Sequence, residues 1–462
     1  MNTQEICPPP VHTTHTSESR ADNPVDIQSR LELFVDDLLI DRTEGTTLKL
    51  HAPQPQPMAQ SPVRGAYLTV LQDGDLYRAY YRQSLDTYVG ERFDGNDGET
   101  TRYAESNDGC EWSFPDLGLV GIDGSTRNNA ILAHMAPYCH NFAPCVPVDP
   151  RADSALRYRA LAGVHPAEVR SVAADGLHAF GSEDGIRWGM LQEDPVITCE
   201  DFAFDSQNVS FWSEVEQCYV CYFRTWETGE GRLRTISRTT SSDYLNWSDP
   251  VSMDPNLPEE HLYVSGTHPY FRAPHIYVAT PTRFRPDRGD STDVLFMATR
   301  AGTTSYARLF TEAFIRPGID PDRWGNRANY VACGIVPTGE AQMSIYHCHS
   351  GVRYTLRTDG FVSVNAGYAG GELVTRPLIF RGNRLVLNYG TSAAGSLRVE
   401  IQGESGIALP GLALDECEEI VGDQVHRTVT WQGAPSLSQL AGQPVRLRFA
   451  LRECDLYSLQ FS

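Results

Sequence analysis

Alternation of apolar and polar positions, the pattern of half-buried strands, runs through most of the chain, while apolar spacing of the helical kind is scarce. Three runs, AYLTVLQDG (66–74), NFAPCVPVD (141–149) and NVSFWSEVE (208–216), each precede a second one: DLYRAYYR (75–82), LRYRALAG (156–163) and CYVCYFR (218–224). A motif of constant spacing follows each pair. Ser106, Asp108 and Trp112 in SNDGCEW are repeated by Ser182, Asp184 and Trp188 in SEDGIRW, and by Ser241, Asp243 and Trp247 in SSDYLNW. Ser and Asp bond nearby backbone groups and hold tight turns. The Trp opens the next strand and has a large ring to bury between neighbouring sheets. The unit therefore reads strand, turn, strand, longer loop, strand, Ser-Asp turn, outer strand. That is a four-stranded antiparallel blade, and its repetition predicts a β-propeller.

Two weaker units follow, HPYFRAPHIYVATPTRF (268–284) with DVLFMATRAGTTSYARLF (293–310), and NYVACGIVPTG (329–339) with MSIYHC and RYTLRTDGFVSV. About five blades are expected between Ser61 and Gly367, with LELFVDDLLID (31–41) adding the strand that closes the ring. After Gly370 the runs LVTRPLIF, RLVLNYG, SLRVEIQ, HRTVTW and PVRLRFAL alternate between Gly and Pro turns and predict a sandwich, with one helical turn near Leu437–Leu440. The expected organisation is all-β: a flexible segment over 1–27, a five-bladed propeller over 28–369 and a C-terminal β-sandwich over 370–462.

Charge narrows the partners. The formal net charge is −21, and Lys49 is the only lysine, so arginine supplies the other positive charges. An acidic surface repels nucleic acid and anionic membranes, and neither is expected as a partner. Arginine forks suit carboxylate or sulfate groups. The segment from Met1 to about Asp26 lacks an apolar signal run, and no stretch is long and apolar enough for a membrane span, so a cytoplasmic location with reduced cysteines is expected. Cys218 and Cys221 form a C-x-x-C whose members face opposite sides of a strand, and His347, Cys348 and His349 alternate likewise. No cofactor or metal is expected, because no His and Cys spacing is persuasive. Oligomeric state is open.

A propeller gathers the starts of its inner strands into one funnel, where a site is sought. Blade by blade the candidates are Arg64 and Tyr67; His140 and Asn141; Asp205, Gln207 and Asn208; His268 and Arg272; Arg327 and Asn329. Each has a bland reading too. Asp205 serves equally as a turn cap, His140 with Asn141 as a satisfied inner pair, and Arg272 as a tie between blades. Trp226, Glu227 and Glu230 occupy a long loop of the third unit, as a rim or as solvated surface.

The segments FVDDLLID, YRAYYR, YAESNDG, HNFAPC, FDSQNVSFW, HPYFRAPHIY and PDRWGNRANY resemble a bacterial group related to the five-bladed glycoside hydrolases of families 32 and 43. The resemblance covers nearly the whole chain. It implies three carboxylates: a blade-one Asp as base or nucleophile, a blade-two Asp that orients, and a blade-three Glu as acid. Asp205 stands at the blade-three position and is the implied acid. The blade-two position falls near His140 and Asn141 and the blade-one position near Gly65–Tyr67, none of them acidic. Asp37 and Glu105, with Asp36, are the nearest substitutes for the second carboxylate.

The leading expectation is a glycoside hydrolase acting on an oligo- or polysaccharide, with Asp205, Asp37 and Glu105 as catalytic candidates. Arg64, Tyr67, His140, Asn141, Gln207, Asn208, His268, Arg272 and Arg327 are the substrate-binding candidates, with Arg272 and Arg64 reading a uronate or sulfate. Two alternatives stand. One is a uronate lyase in which Arg neutralises the carboxylate and His140, His268, Tyr67 or Tyr270 removes a proton. The other is a glycan-binding propeller without catalysis.

Overall fold

The structure is a computed structural model that describes residues 23–145, 156–164, 176–199, 204–227, 232–325, 327–433 and 436–462. Most of the expected N-terminal segment, and Glu230, lie outside the described residues. Among those residues the chain is all-β, and its helical pieces are single 3-10 turns at Pro286–Arg288, Pro321–Arg323 and Leu437–Gln439, the last where a turn was expected. The described chain divides into two compact units. One comprises Leu31–Asp36 and Leu48–Ser363; the other comprises the residues up to Arg30, Asp37–Thr47 and Val364–Ser462.

The larger unit is a succession of small antiparallel sheets. The first orders Ala66–Asp73, Leu76–Ser84, Glu99–Ser106 and Ala130–Ala133 as a meander. Ala143–Cys145, Tyr158–Ala162, His178–Ser182 and Gly189–Met190 form the second, and Val209–Ser213, Cys218–Trp226, Arg234–Ser241 and Val251–Ser252 the third. The fourth region is split. His268–Tyr270, Ala273–Ala279 and Met297–Arg300 make one three-stranded sheet, and His261–Leu262, Thr282–Arg285 and Ser291–Val294 another. Pro281 stands at the break, where it has no N–H to give a ladder. The last sheet joins Val336–Gly339, Gln342–Tyr346 and Arg353–Arg357 to Gln54–Pro55. The strand contributed from the N-terminal part is thus Gln54–Pro55, which corrects the expectation for 31–41.

The opening strands adjoin in turn. Ala66–Asp73 lies beside Ala143–Cys145, which lies beside Val209–Ser213, which lies beside His268–Tyr270, and Val336–Gly339 returns to Ala66–Asp73. Thr69 and Cys333 form a parallel bridge at that return. Buried amides bind the strands together, since buried backbone carbonyls need donors. Asn141 Nδ2 donates to Phe204 O and Ser206 O, and Gln207 Nε2 to Leu68 O and to Thr69 Oγ1, at 2.7–3.1 Å.

The Ser-Asp-Trp motif builds the same corner three times. Ser106, Ser182 and Ser241 each accept, through Oγ, the N–H three residues on at 2.9 Å. Asp108, Asp184 and Asp243 each accept two further N–H groups, at 2.7–3.0 Å. The Trp fills the seam toward the preceding sheet: Trp112 lies 5.8 Å from the Tyr346 ring and Trp188 6.2 Å from Tyr80. The preceding tyrosine also donates to the turn, Tyr346 to Gly109 O at 2.7 Å and Tyr80 to Gly185 O at 2.9 Å. The third corner exchanges sizes. Leu161 stands where the pattern has tyrosine, Tyr244 stands where it has glycine, and the two pack in one cluster.

In the smaller unit, Leu385–Gln402 and Pro444–Phe461 pair antiparallel along most of their length, and Gly371–Thr375 pairs with both Pro444–Phe461 and Ile40–Glu44. RLVLNYG and SLRVEIQ, read as two strands, are one strand whose bulge at Thr391–Ser396 returns to the same partner.

Removing Asp243 by Asp243→Ala deletes local bonds that cap a turn, and should cost about 1 kcal/mol, as such caps do. The fold holds the Asp243 carboxyl at about 2; burial pushes up, but the Asn246 and Leu245 contacts and Ser241 outweigh it. A depressed acid stabilises above its unfolded pKa and loses that contribution as pH falls. The stability gap to Asp243→Ala in chemical denaturation should therefore shrink below about pH 4; a gap that widens there counts against this account.

Candidate active site

Asp205 lies in the turn before the opening strand of the third sheet, and His140 in the turn before that of the second. Their neighbours come from farther along the repeat. Leu76–Ser84 and Cys218–Trp226 are equivalent second strands, and they place Arg82 and Arg224 at equivalent positions near the centre. Glu99 begins the third strand of the first sheet.

These groups form one chain of charges. His140 Nδ1 meets Glu99 Oε2 at 2.9 Å, and His140 Nε2 meets Asp205 Oδ1 at 3.3 Å. Arg82 pairs with Glu99 at 3.3 Å and lies against the imidazole, and the Gly95 N–H donates to Glu99 at 3.1 Å. Asp205 accepts further from Tyr67 OH at 3.3 Å, Tyr263 OH at 3.2 Å and Arg224 Nη1 at 3.4 Å. The His140 side chain is 1% exposed and Glu99 5%, whereas Asp205 keeps 13%. Only the last is positioned to meet a solute.

Protonation follows from these contacts. Burial pushes the Asp205 carboxyl up, but the His140 hydrogen bond, the Arg224 charge and Tyr263 hold it well below the usual carboxylate range. Burial and Arg82 push His140 down, yet the bonds to Asp205 and Glu99 win and raise it above its ordinary 6.5. Asp205 is thus a carboxylate, and His140 holds its proton more firmly than a free imidazole does. Burial, with Asp205 alongside, raises Tyr67 well above 10 and Tyr263 to about 12, so both phenols keep their protons. Tyr67 does this from φ 47°, a strained conformation for a bulky residue, at a bulge in its strand.

One more carboxylate belongs here. Asp94, exposed in the loop before Glu99, His140 and Asp205 each have a ligand-type atom within 4.8 Å of the others. As a metal site the trio fits poorly, because both His140 nitrogens are engaged and Arg82 and Arg224 crowd it with positive charge. As two carboxylates flanking a reacting atom, Asp94 and Asp205 have a use.

The other expected residues have different employment. Asn141 is spent on backbone, its Oδ1 accepting Gly163 N and its Nδ2 donating to Gly163 O, Phe204 O and Ser206 O. Gln207 Nε2 and Asn208 Nδ2 are likewise occupied by carbonyls. His268 donates through Nδ1 to Gly266 O and accepts Ile335 N at Nε2; burial drops it to about 4, so it is a neutral core histidine. Arg272 and Tyr270 both bind Asp359, at 2.5 and 2.7 Å. Asp36 is bound by Arg300 at 2.6 Å. Glu105 accepts Tyr103 OH at 2.9 Å, and it stands six residues beyond Glu99 on one strand, roughly 20 Å further along. It is not a second carboxylate for Asp205. Asp37 is exposed and belongs to the smaller unit, and Arg64 is exposed in the larger one. Arg327 lies against Tyr263, 5.8 Å from the ring centre, and so does reach the cluster. Sequence reasoning passed over Glu99, Arg82, Arg224, Tyr263 and Asp94. The arginine ending both YRAYYR and CYVCYFR is the signal that marks two of them.

No family model matches the chain, and no curated protein does. Solved structures similar to it include a glycoside hydrolase (13% identity, 69% of this chain and 91% of the other, TM-score 0.44). A family 43 arabinoxylan arabinofuranohydrolase from Bacillus subtilis, in complex with cellotetraose, is similar at 12% identity over 86% of this chain and 96% of its own, TM-score 0.40. So is an N-acetylgalactosamine deacetylase from F. plautii in complex with blood group B trisaccharide, at 11% identity, 88% and 95% coverage, and TM-score 0.44. The structural neighbours are thus family 43-like propeller proteins and related enzymes. At identities this low nothing of their chemistry transfers.

Breaking a buried charge pair by removing one partner costs about 3–5 kcal/mol, and His140→Gln should destabilise the protein by that order. His140 is raised above its unfolded value, so its contribution is complete below pH 6.5 and fades as pH rises through the folded value. The gap between thermal melts of parent and variant should therefore narrow as pH rises above 6.5, and a gap that does not change with pH counts against a raised imidazole.

Proposed function

We propose that the chain is a glycan-processing enzyme of the glycoside hydrolase type. In this reading the larger unit is a five-bladed β-propeller, the two three-stranded sheets counting together as one blade, and the smaller unit is a β-sandwich module. The substrate is an oligo- or polysaccharide bound beside Asp205. The observation that carries the reading is the pairing of an ionised, partly exposed Asp205 with the exposed carboxyl of Asp94, their oxygens no more than 4.8 Å apart.

The role first expected for Asp205 changes. The low-lying Asp205 carboxyl stays ionised and suits a nucleophile, which leaves the exposed Asp94 beside it to act as the acid. Carboxyls about 5 Å apart belong to the retaining mechanism, while inverting enzymes leave roughly 6.5–9.5 Å for a water. Asp94 protonates the leaving oxygen as Asp205 Oδ bonds the anomeric carbon. Water then attacks that carbon, giving its proton to Asp94 and releasing Asp205. Tyr67, Tyr263 and Arg224 hold the attacking carboxylate in place with bonds of 3.2–3.4 Å.

The lyase alternative lacks a base. His140 is buried with both ring nitrogens engaged, Tyr67 and Tyr263 keep their protons, and His268 has both nitrogens in use. A binding propeller shares the lining and differs in turnover alone.

The test is hydrolysis of a panel of aryl glycosides and oligosaccharides. Asp205→Asn should lower kcat/KM by about 100-fold or more on every substrate that is turned over. Asp94→Asn should lose a similar factor on poor leaving groups but stay near the parent on dinitrophenyl glycosides, whose departure needs no acid. The acid limb of the parent's pH profile should lie below the ordinary carboxylate range. Equal losses for Asp94→Asn on both substrate types remove it as the acid, and binding without turnover leaves the non-catalytic reading.

A further inference from the structure

Several arginines in this chain are paired with carboxylates. Arg300 is paired with Glu32 and Asp36, Arg308 with Glu260, Arg238 with Glu216, Arg272 with Asp359 and Arg224 with Asp205. Supply is not limiting, since Asp and Glu total 59 against 38 Lys and Arg. Arg234 is not among the paired arginines. It opens the third strand of the third sheet, and its guanidinium carbon lies 4.8 Å from the Trp226 ring centre and 5.1 Å from those of Tyr263 and Phe284. Its side-chain hydrogen bond goes to His261 Nδ1 at 3.4 Å, its Nε is buried without a partner, and it makes no ion pair with a carboxylate among the described residues.

A second cation shares the same rings. Arg327, exposed and at φ 56°, stacks 5.8 Å from Tyr263 and 5.2 Å from Phe284. Burial depresses the basicity of Arg234, and the charges of Arg224 and Arg327 add to this while Tyr263 and Asp205 oppose it. The aromatic faces keep both forks flat and oriented. Tyr263 ties this pair to the reacting centre, because its hydroxyl is the one bonded to Asp205.

We propose that Arg234 and Arg327 form an oxyanion subsite beside Asp205, taking the carboxylate of a uronic acid or the sulfate of a sulfated sugar. The proposal rests on the glycan reading above. A guanidinium fork matches either group in two parallel hydrogen bonds. It also offsets the repulsion that an anionic sugar meets at the ionised Asp205. The subsite replaces Arg272, expected to read such a group but already bound to Asp359.

The test is isothermal titration of the full chain with trigalacturonate and its methyl ester, and with galactose 6-sulfate and galactose. One anionic probe should bind at least about 10-fold more tightly than its neutral counterpart, and which one does so distinguishes carboxylate from sulfate. Arg234→Gln and Arg327→Gln should each remove that preference, Arg234→Lys should keep part of it, and Asp205→Asn should preserve or tighten binding. Should Arg234→Gln fail to fold, the exposed Arg327 decides. Equal affinity for charged and neutral probes, no binding of either anion, or a preference that survives in the arginine variants overturns the subsite. Anion-dependent binding with no turnover of any glycoside leaves the subsite standing and removes the hydrolase reading. Turnover of neutral glycans without anion preference does the reverse.

Discussion

An imidazole with almost no exposure must find partners for both ring nitrogens inside the protein, and His140 finds two carboxylates. Glu99 takes one ring nitrogen and Asp205 the other, at 2.9 and 3.3 Å. The three residues come from the first sheet, the turn before the second and the turn before the third. Desolvating such charges costs several kcal/mol per ion, which the contacts must offset. What they secure is a fixed carboxylate. Asp205 stays ionised although it is mostly buried, with Tyr67, Tyr263 and Arg224 donating to it.

The charge distribution has a second consequence. The chain is strongly acidic overall, at −21, yet the side chains around Asp205 include Arg82, Arg224, Arg234, Arg327 and His140. A cationic spot on an acidic protein is a local feature of the fold. Long-range steering of an anion would be weak against that background, so selectivity in such a site rests on close contacts.

The frame that holds this centre is repetitive but adjustable. Three Ser-Asp turns make the same hydrogen bonds, and each seam accepts one large and one small residue. Tyr80 meets Gly185 in one seam, and Leu161 meets Tyr244 in the next. Close packing conserves the total volume and leaves open which side supplies it.

What was legible in the sequence is what is local. The Ser-Asp-Trp corners depend on hydrogen bonds spanning two or three residues, and strand positions on alternation, so both could be read from the order of residues. Asp205 and His140 were legible because they precede inner strands. Their roles were not: whether a carboxyl gives or keeps a proton depends on neighbours 65 or 19 residues away. Gln207 and Asn141 look like sugar ligands in sequence, and Gln207 becomes a staple once the fold brings backbone carbonyls 139 positions away within reach. The late closing strand, the bulged long strand and the Glu99, Asp94 and Arg234 placements were decided by the tertiary structure for the same reason. Each depends on pairing between distant segments, and no local pattern encodes which distant segment will arrive.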